Sequence, residues 1–144
     1  MTKFAYRLET KRVKDPDFPY TGKGFSQPEA VAEFCRSLQD SDVEKFLVLY
    51  LNARNKLNCI SVQMGTVNQA VVYPREIVKH CILSNACAVI LVHNHPSGHV
   101  RPSEQDIRLT RNLSEVCRIL DIQLHDHIIM GNGNHYSFRE DGMI

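Results

Sequence analysis

His93 and His95 stand two residues apart in "VHNHPSGHVRPSEQD", and the carboxylate of Asp106 follows eleven residues after His95. Residues two apart project from the same face of a strand. If "AVILVHNH" is extended, both imidazoles therefore point the same way at its C-terminal end. Asp106 falls in the first turn of the helix that should follow, where its carboxylate can swing back over the loop. Two histidines, one carboxylate and an open fourth position make a familiar ligand set for catalytic zinc. A plainer reading competes with this one. Ser103-x-x-Asp106 has the spacing of a capping box, Pro102 is ordinary punctuation before a helix, and His93-x-His95 can be simple strand alternation.

The elements that must hold these residues are legible along the chain. Residues 1–25 are weakly periodic, and "KRVKDPDFPYTGKG" mixes prolines, glycines and both signs of charge. They read as an N-terminal arm, extended or loosely docked, ahead of one domain over 26–144. "SQPEAVAEFCRSLQ" predicts a helix capped by Ser26, with Glu29 at the capping-box position and Val31, Phe34, Cys35 and Leu38 inward. "EKFLVLYLN" and "LNCISVQMG" predict strands joined by the turn "NARNK", and "QAVVYPR" a short strand stopped by Pro74. "REIVKHCILSNA" predicts a short helix burying Ile77, Val78, Cys81 and Ile82. "CAVILVHNH", the most apolar run, predicts a strand covered on both faces. "SEQDIRLTRNLSEVCRILD" predicts an amphipathic helix with Leu109, Leu113, Val116, Cys117 and Leu120 on one side. "IQLHDHIIMG", "NGN" and "HYSFRE" predict a closing hairpin. Interleaved strands and helices give an α/β or α+β class with a mixed sheet.

Composition narrows the function classes. The chain has 144 residues, 17 Lys and Arg against 16 Asp and Glu, and a formal net charge of +1. No global field points to nucleic acid, a membrane surface or an acidic substrate. The five cysteines are odd in number, scattered and without a CxxC pair. Most sit in apolar runs, which predicts reduced thiols and a cytoplasmic setting. Neither a signal peptide nor a membrane-spanning run is expected.

The complete pattern H-x-H-P-x6-S-x2-D, here His93, His95, Pro96, Ser103 and Asp106, resembles the signature of the JAMM (JAB1/MPN) metallohydrolases. "YPREIVKHCI" upstream and "DHIIMG" downstream make it more similar still to the RadC branch, or UPF0758 family, over residues 26–144. The resemblance implies a mixed, curved β-sheet flanked by helices, JAB1/MPN-like in a cytidine-deaminase-like architecture. It also implies one zinc per chain on His93, His95 and Asp106. Glu44 in "DVEKFLVLYL" matches the place of the family's general base, with Asp40, Asp42 and Glu76 as alternatives. Ser103 would donate to the oxyanion. Asn94 and the "DH" pair Asp126 and His127 would line or support the site, whereas Pro96 and Gly98 shape the turn.

The expected reaction is hydrolysis of a peptide or isopeptide bond, so the expected partner is a protein or peptide. Two alternatives stand beside it: a DNA-repair-associated metal-dependent nuclease and a non-catalytic MPN interaction module. The long RadC proteins carry an N-terminal helix-hairpin-helix-like region that is not in these residues, which counts against direct nucleic-acid binding. An edge strand or the arm offers a contact for a homodimer. His125-x-His127 repeats the two-apart spacing, but with no acid following it is read as strand alternation.

Overall fold

The computed structural model describes residues 1–65 and 72–144. Five strands, β1 (Lys45–Leu51), β2 (Leu57–Met64), β3 (Ala88–Asn94), β4 (Gln123–Met130) and β5 (His135–Ser137), form one sheet in the order β2-β1-β3-β4-β5. β3 and β4 are parallel and every other neighbouring pair is antiparallel. The sheet is therefore mixed, as the interleaved pattern requires. Helices α1 (Pro28–Phe34), α2 (Pro74–Leu83) and α3 (Glu104–Ile119) flank it. No helix among the described residues is long and apolar enough to cross a membrane.

Strand alternation divides the core into two layers. Leu47, Leu49, Leu51, Ile90, Val92 and Ile128 pack with Val31, Cys35 and Leu38 from α1 and the 3-10 turn after it. Phe46, Val48, Tyr50, Val89 and Leu91 pack with Ile77, Cys81, Leu113 and Cys117 from α2 and α3. β3 is buried along its whole length. It is the central strand, covered on both faces, so its polar carboxyl end, His93 and Asn94, is held inside the protein. α3 makes the crossover between parallel β3 and β4, which sets its N-terminus at the carboxyl end of β3.

Several local expectations shift. α1 starts at Pro28 with Gln27, not Ser26, at the N-cap and no side-chain cap bond. Proline at the first helical position sets the boundary, because its fixed φ suits that turn and its missing N–H costs nothing there. Ile82 is 59% exposed and Leu120 46%. Both sit at helix ends, where the last turn runs past the sheet. Of "QAVVYPR", residues 69–71 lie outside the described residues, while Val72 and Tyr73 are irregular. The arm is exposed through residue 17, but Phe18 and Tyr20 pack on the α1 layer and Phe25 is buried in it. Phe25 is tied to the β1–β2 turn by its N–H donating to the Asn55 carbonyl at 2.8 Å.

Candidate metal centre

Four side chains from three parts of the fold meet at the carboxyl end of β3. Glu44, His93, His95 and Asp106 each offer a donor atom, and these atoms lie within 4.8 Å of one another. His93 is 1% exposed, Glu44 and Asp106 9% each. Charged groups are rarely buried this far without partners.

Each residue is placed by its backbone. His93 projects toward the α3 layer opposite Phe46, its direct β1 partner, and the two rings stack with centroids 5.4 Å apart. β3 ends at Asn94, so His95 lies just beyond the strand rather than in it. Its N–H still reaches the Met130 carbonyl at 3.2 Å, prolonging the parallel register by one step. A turn closed by Gly98 N–H to the His95 carbonyl at 2.9 Å then reverses the chain. Gly98 has φ +83°, a region that a side chain enters only at a cost. Gly131 lies beneath this turn, where a Cβ would come within 2.6 Å of the Gly98 carbonyl. Glu44 immediately precedes β1 and is brought in because β1 pairs antiparallel with β3.

Asp106 reconciles the two readings of its motif. Ser103 is the N-cap of α3 and Asp106 its N3 residue, and both capping-box bonds form. Asp106 N–H donates to Ser103 Oγ at 3.0 Å, and Ser103 N–H donates to Asp106 Oδ2 at 2.9 Å. The same Oδ2 lies 3.1 Å from His95 Nε2, while Oδ1 lies 3.2 Å from His93 Nε2. The cap therefore holds the carboxylate in the orientation in which it meets both imidazoles.

The donor chemistry suits a cation. His95 Nδ1 lies 2.9 Å from the His99 carbonyl, which only accepts, so the hydrogen of neutral His95 is on Nδ1 and its Nε2 presents a lone pair. That lone pair faces His93 Nε2 at 3.1 Å as well as Asp106. Glu44 Oε1 is 3.8 Å from His93 Nε2. Lone pairs and carboxylates so crowded require positive charge at their centre. With only protons to supply it, the Asp106 bond raises the His95 pKa against the opposing effect of burial. Burial would raise the Asp106 pKa, but the bonds to His93 and His95 outweigh it and hold the carboxyl below its usual range.

The remaining candidates sort by what they touch. Asn94 is fully buried with its side chain on the opposite face; Oδ1 accepts from Lys45 N–H at 2.7 Å and Nδ2 donates to the Val43 carbonyl at 3.0 Å. It thus grips the backbone on both sides of Glu44. Asp40 and Asp42 are exposed, and Glu76 pairs with Lys79 at 2.7 Å, so Glu44 is the acid that joins the group. His127 meets His93 directly, Nε2 to Nδ1 at 2.8 Å, and burial pushes its pKa well down.

Asp126 does not reach the cluster. It accepts from His127 N–H, Arg139 N–H and Ser137 Oγ, and so pins the β4–β5 hairpin. Simple alternation fails for His125-x-His127. Val89 pairs with Leu124 and Ile90 with Asp126, leaving His125 as an extra residue. Its ring bonds Asn55 Oδ1 at 2.8 Å instead of facing the histidine cluster. Thr110, which sequence reasoning missed, sits one turn after Asp106. Its Oγ1 is 2.7 Å from the Asp106 carbonyl and 2.6 Å from His127 Nδ1. The signal was available, as a hydroxyl on the inner face of α3 one turn from Asp106 and ahead of Leu113 and Cys117.

Comparison with known proteins agrees with this geometry. The family model described as "RadC-like JAB domain" matches residues 25–143. The chain belongs to that family. A UPF0758 protein of Histophilus somni (strain 2336) is 42% identical over 122 residues, which are 83% of this chain and 55% of that protein. One from Actinobacillus pleuropneumoniae serotype 5b is 43% identical over 113 residues, 78% of this chain and 51% of its own. The chain thus spans about half the length of these relatives. UPF0758 protein YkfG of Escherichia coli K12 is 41% identical over 135 residues, 92% of this chain and 85% of that protein. A RadC-like JAB domain with a Glu, His, His, Asp group able to hold a metal ion fits a metal-dependent hydrolase.

Proposed function

We propose that the protein is a zinc-dependent peptidase that cleaves a peptide or isopeptide bond. The observation that carries the proposal is the convergence of the His93 and His95 Nε2 atoms with the Asp106 carboxylate, and of Glu44 beside them. His93, His95 and Asp106 would hold the ion, leaving Glu44 for proton transfer. A zinc ion held by such ligands polarises a carbonyl oxygen and makes water acidic near neutral pH. The Glu44 carboxylate takes the proton of the attacking water and returns it to the leaving nitrogen. Asn94, by fixing the backbone of Val43 and Lys45, keeps that carboxylate aimed at the cluster. Ser103 Oγ accepts from Asp106 N–H, which leaves its own hydrogen to donate to the substrate oxygen as charge develops there.

Among hydrolases, the near-neutral charge balance supports a peptide substrate over a nucleic acid, whose phosphates call for a basic surface. Free, mostly buried cysteines are consistent with a reducing compartment such as the cytoplasm.

The test is zinc stoichiometry of wild type, His95→Ala and Asp106→Asn purified without chelators, followed by a peptidase screen with Glu44→Gln as control. One zinc in wild type, lost in both ligand variants, with cleavage abolished in Glu44→Gln, is expected. A folded wild type that takes up no zinc would overturn the proposal. So would cleavage that survives in Glu44→Gln.

A further inference from the structure

β2 is an open edge without the usual guards. It stands last in the sheet, and among the described residues no strand pairs with its outer side. Gly65 N–H donates to the Glu44 carbonyl at 2.8 Å, so the ladder turns Gln63, Ser61 and Cys59 toward β1. The N–H and C=O groups of Ile60, Val62 and Met64 therefore point outward. Charges, prolines and bulges normally keep such an edge from pairing. Leu57–Met64 holds no charge and no proline, and its bulge lies at the Leu57 end. There Leu57 N–H donates to Tyr20 Oη and Arg12 Nη1 donates to the Asn58 carbonyl, both at 3.2 Å. Ile60 packs against the α1 layer, whereas Val62 and Met64, on the same side by alternation, are 39% and 71% exposed.

The N-terminal arm carries the matching half. Phe4, Tyr6 and Leu8 alternate with Ala5, Arg7 and Glu9, the period of a strand with one apolar face. Arg7 and Glu9 pair at 2.9 Å on the polar side. The apolar three are 80%, 99% and 92% exposed. Of residues 1–14 only Arg12 bonds to β2, and none lies in a strand. The arm thus stands beside its own edge without pairing with it.

We propose that the arm of one copy adds as a strand to the β2 edge of a second copy, which returns the exchange. Set antiparallel, Phe4 faces Met64, Tyr6 faces Val62 and Leu8 faces Ile60 of the other copy. Each pair then shares the α1 side of the sheet, where aromatic and β-branched neighbours stabilise a ladder. Residues 9–17 reach up to about 30 Å when extended, enough to cross between copies. Burying Phe4 and Tyr6 covers about 300–500 Å² of each arm. Counted for both arms and the surfaces beneath them, the interface comes to about 1,200–2,000 Å², the size of a stable complex. A second copy is the partner that fits, because one chain carries both halves. The exchange uses none of Glu44, His93, His95 or Asp106, so it stands or falls apart from the metal-site reading.

The test is sedimentation velocity over a concentration series, with amide hydrogen exchange, on the full chain as wild type, Tyr6→Pro and Val62→Pro. Val62 N–H points away from β1, so proline there blocks the outer edge and spares the ladder within the chain. Wild type is expected to dimerise, with protection of the Tyr6, Leu8 and Val62 amides that grows with concentration. Each proline should weaken the dimer by about 100-fold or more, since the symmetry makes every lost bond count twice. Mixing the two variants should restore association, because the arm of Val62→Pro meets the intact edge of Tyr6→Pro. A wild type that stays monomeric would overturn the proposal; protected arm amides in that monomer would mean that the arm closes on its own edge. A dimer that survives Tyr6→Pro, an exposed site where folding is not at stake, would place the interface elsewhere and overturn it too. So would two folded variants that fail to associate when mixed.

Discussion

Asn94 offers a way to separate the hold on Glu44 from the hold on the ion. The β1–β3 ladder ends at the Phe46 and His93 pair. One step further, the Asn94 amide takes over from the backbone, accepting from Lys45 N–H at 2.7 Å and donating to the Val43 carbonyl at 3.0 Å. Asn94→Ala removes both bonds and leaves a small void. Each bond contributes about 1 kcal/mol net, and the void and poorly solvated backbone groups add about another. Val43 and Lys45 are half-buried, so water offsets part of the loss. The expected cost is about 2–3 kcal/mol, read by urea denaturation in EDTA. For a domain of this size it lowers Tm by roughly 6–10 °C.

The Asn94 amide bonds the backbone of Val43 and Lys45 rather than a clustered side chain, so Zn2+ affinity of the folded variant should stay within about 3-fold of wild type. Turnover of the substrate found by the screen should fall by about 10-fold or more, because Glu44 loses its orientation. Asn94→Asp keeps the bond to Lys45 but sets a carboxylate oxygen against the Val43 carbonyl. It should be at least as unstable at neutral pH and recover as the carboxyl protonates in acid. A Tm change under about 2 °C in Asn94→Ala, or a loss of Zn2+ affinity as large as the loss of turnover, would refute this division of labour.

The thiols give a pH-dependent prediction. Burial raises the Cys35 pKa and pushes those of Cys81 and Cys117 up to about 11, whereas Cys87 is exposed. Only the thiolate is nucleophilic, and a raised pKa keeps it scarce until the pH approaches that value. Iodoacetamide near pH 8, followed by peptide mass spectrometry, should modify Cys87 first and the three buried thiols only after unfolding; equal rates for Cys87 and Cys117 would contradict the burial argument. Asp126→Ala should cost about 3 kcal/mol, since it strips partners from His127 N–H, Arg139 N–H and Ser137 Oγ at once. Hydrogen exchange should speed up at the Arg139 amide, and an unchanged rate there would show that Asp126 does not pin the hairpin.

The sequence was most legible where pattern and period coincide. β1 and β3 are long apolar runs, α3 is amphipathic over its whole length, and the H-x-H-P-x6-S-x2-D spacing needs only a strand, a reversal and a helix start. The mixed sheet and the His93, His95, Asp106 cluster follow from those three parts. Glu44 was harder, because nothing local distinguishes it from Asp40 or Asp42. Its place is set by the pairing of β1 with β3, a contact across 49 residues as measured by the bond from Lys45 to Asn94. Reading His125-x-His127 as simple alternation misled, because a one-residue bulge cancels period-two reasoning, although His127 does meet His93. Ser26 misled because Pro28 sets the start of α1 more strongly than a hydroxyl two residues earlier.

Capping and metal binding first stood as rival explanations of Ser103-x-x-Asp106, and the geometry makes the two compatible. A carboxylate free to rotate would lose entropy on binding an ion and could bond one histidine without the other. The Ser103 N–H fixes Oδ2, so Oδ1 is turned to His93 while Oδ2 remains beside His95. The N-terminus of a 16-residue helix adds its partial positive charge, which favours the ionised form that a cation needs. The same helix carries Thr110 one turn on, where its Oγ1 meets His127 Nδ1, and His127 in turn meets His93, so one rigid element both orients the carboxylate and braces a histidine of the cluster. Precision at the site therefore comes from α3 as much as from β3. Substitutions that shift this helix, such as at the fully buried Leu113, should loosen the site without touching any of its four side chains.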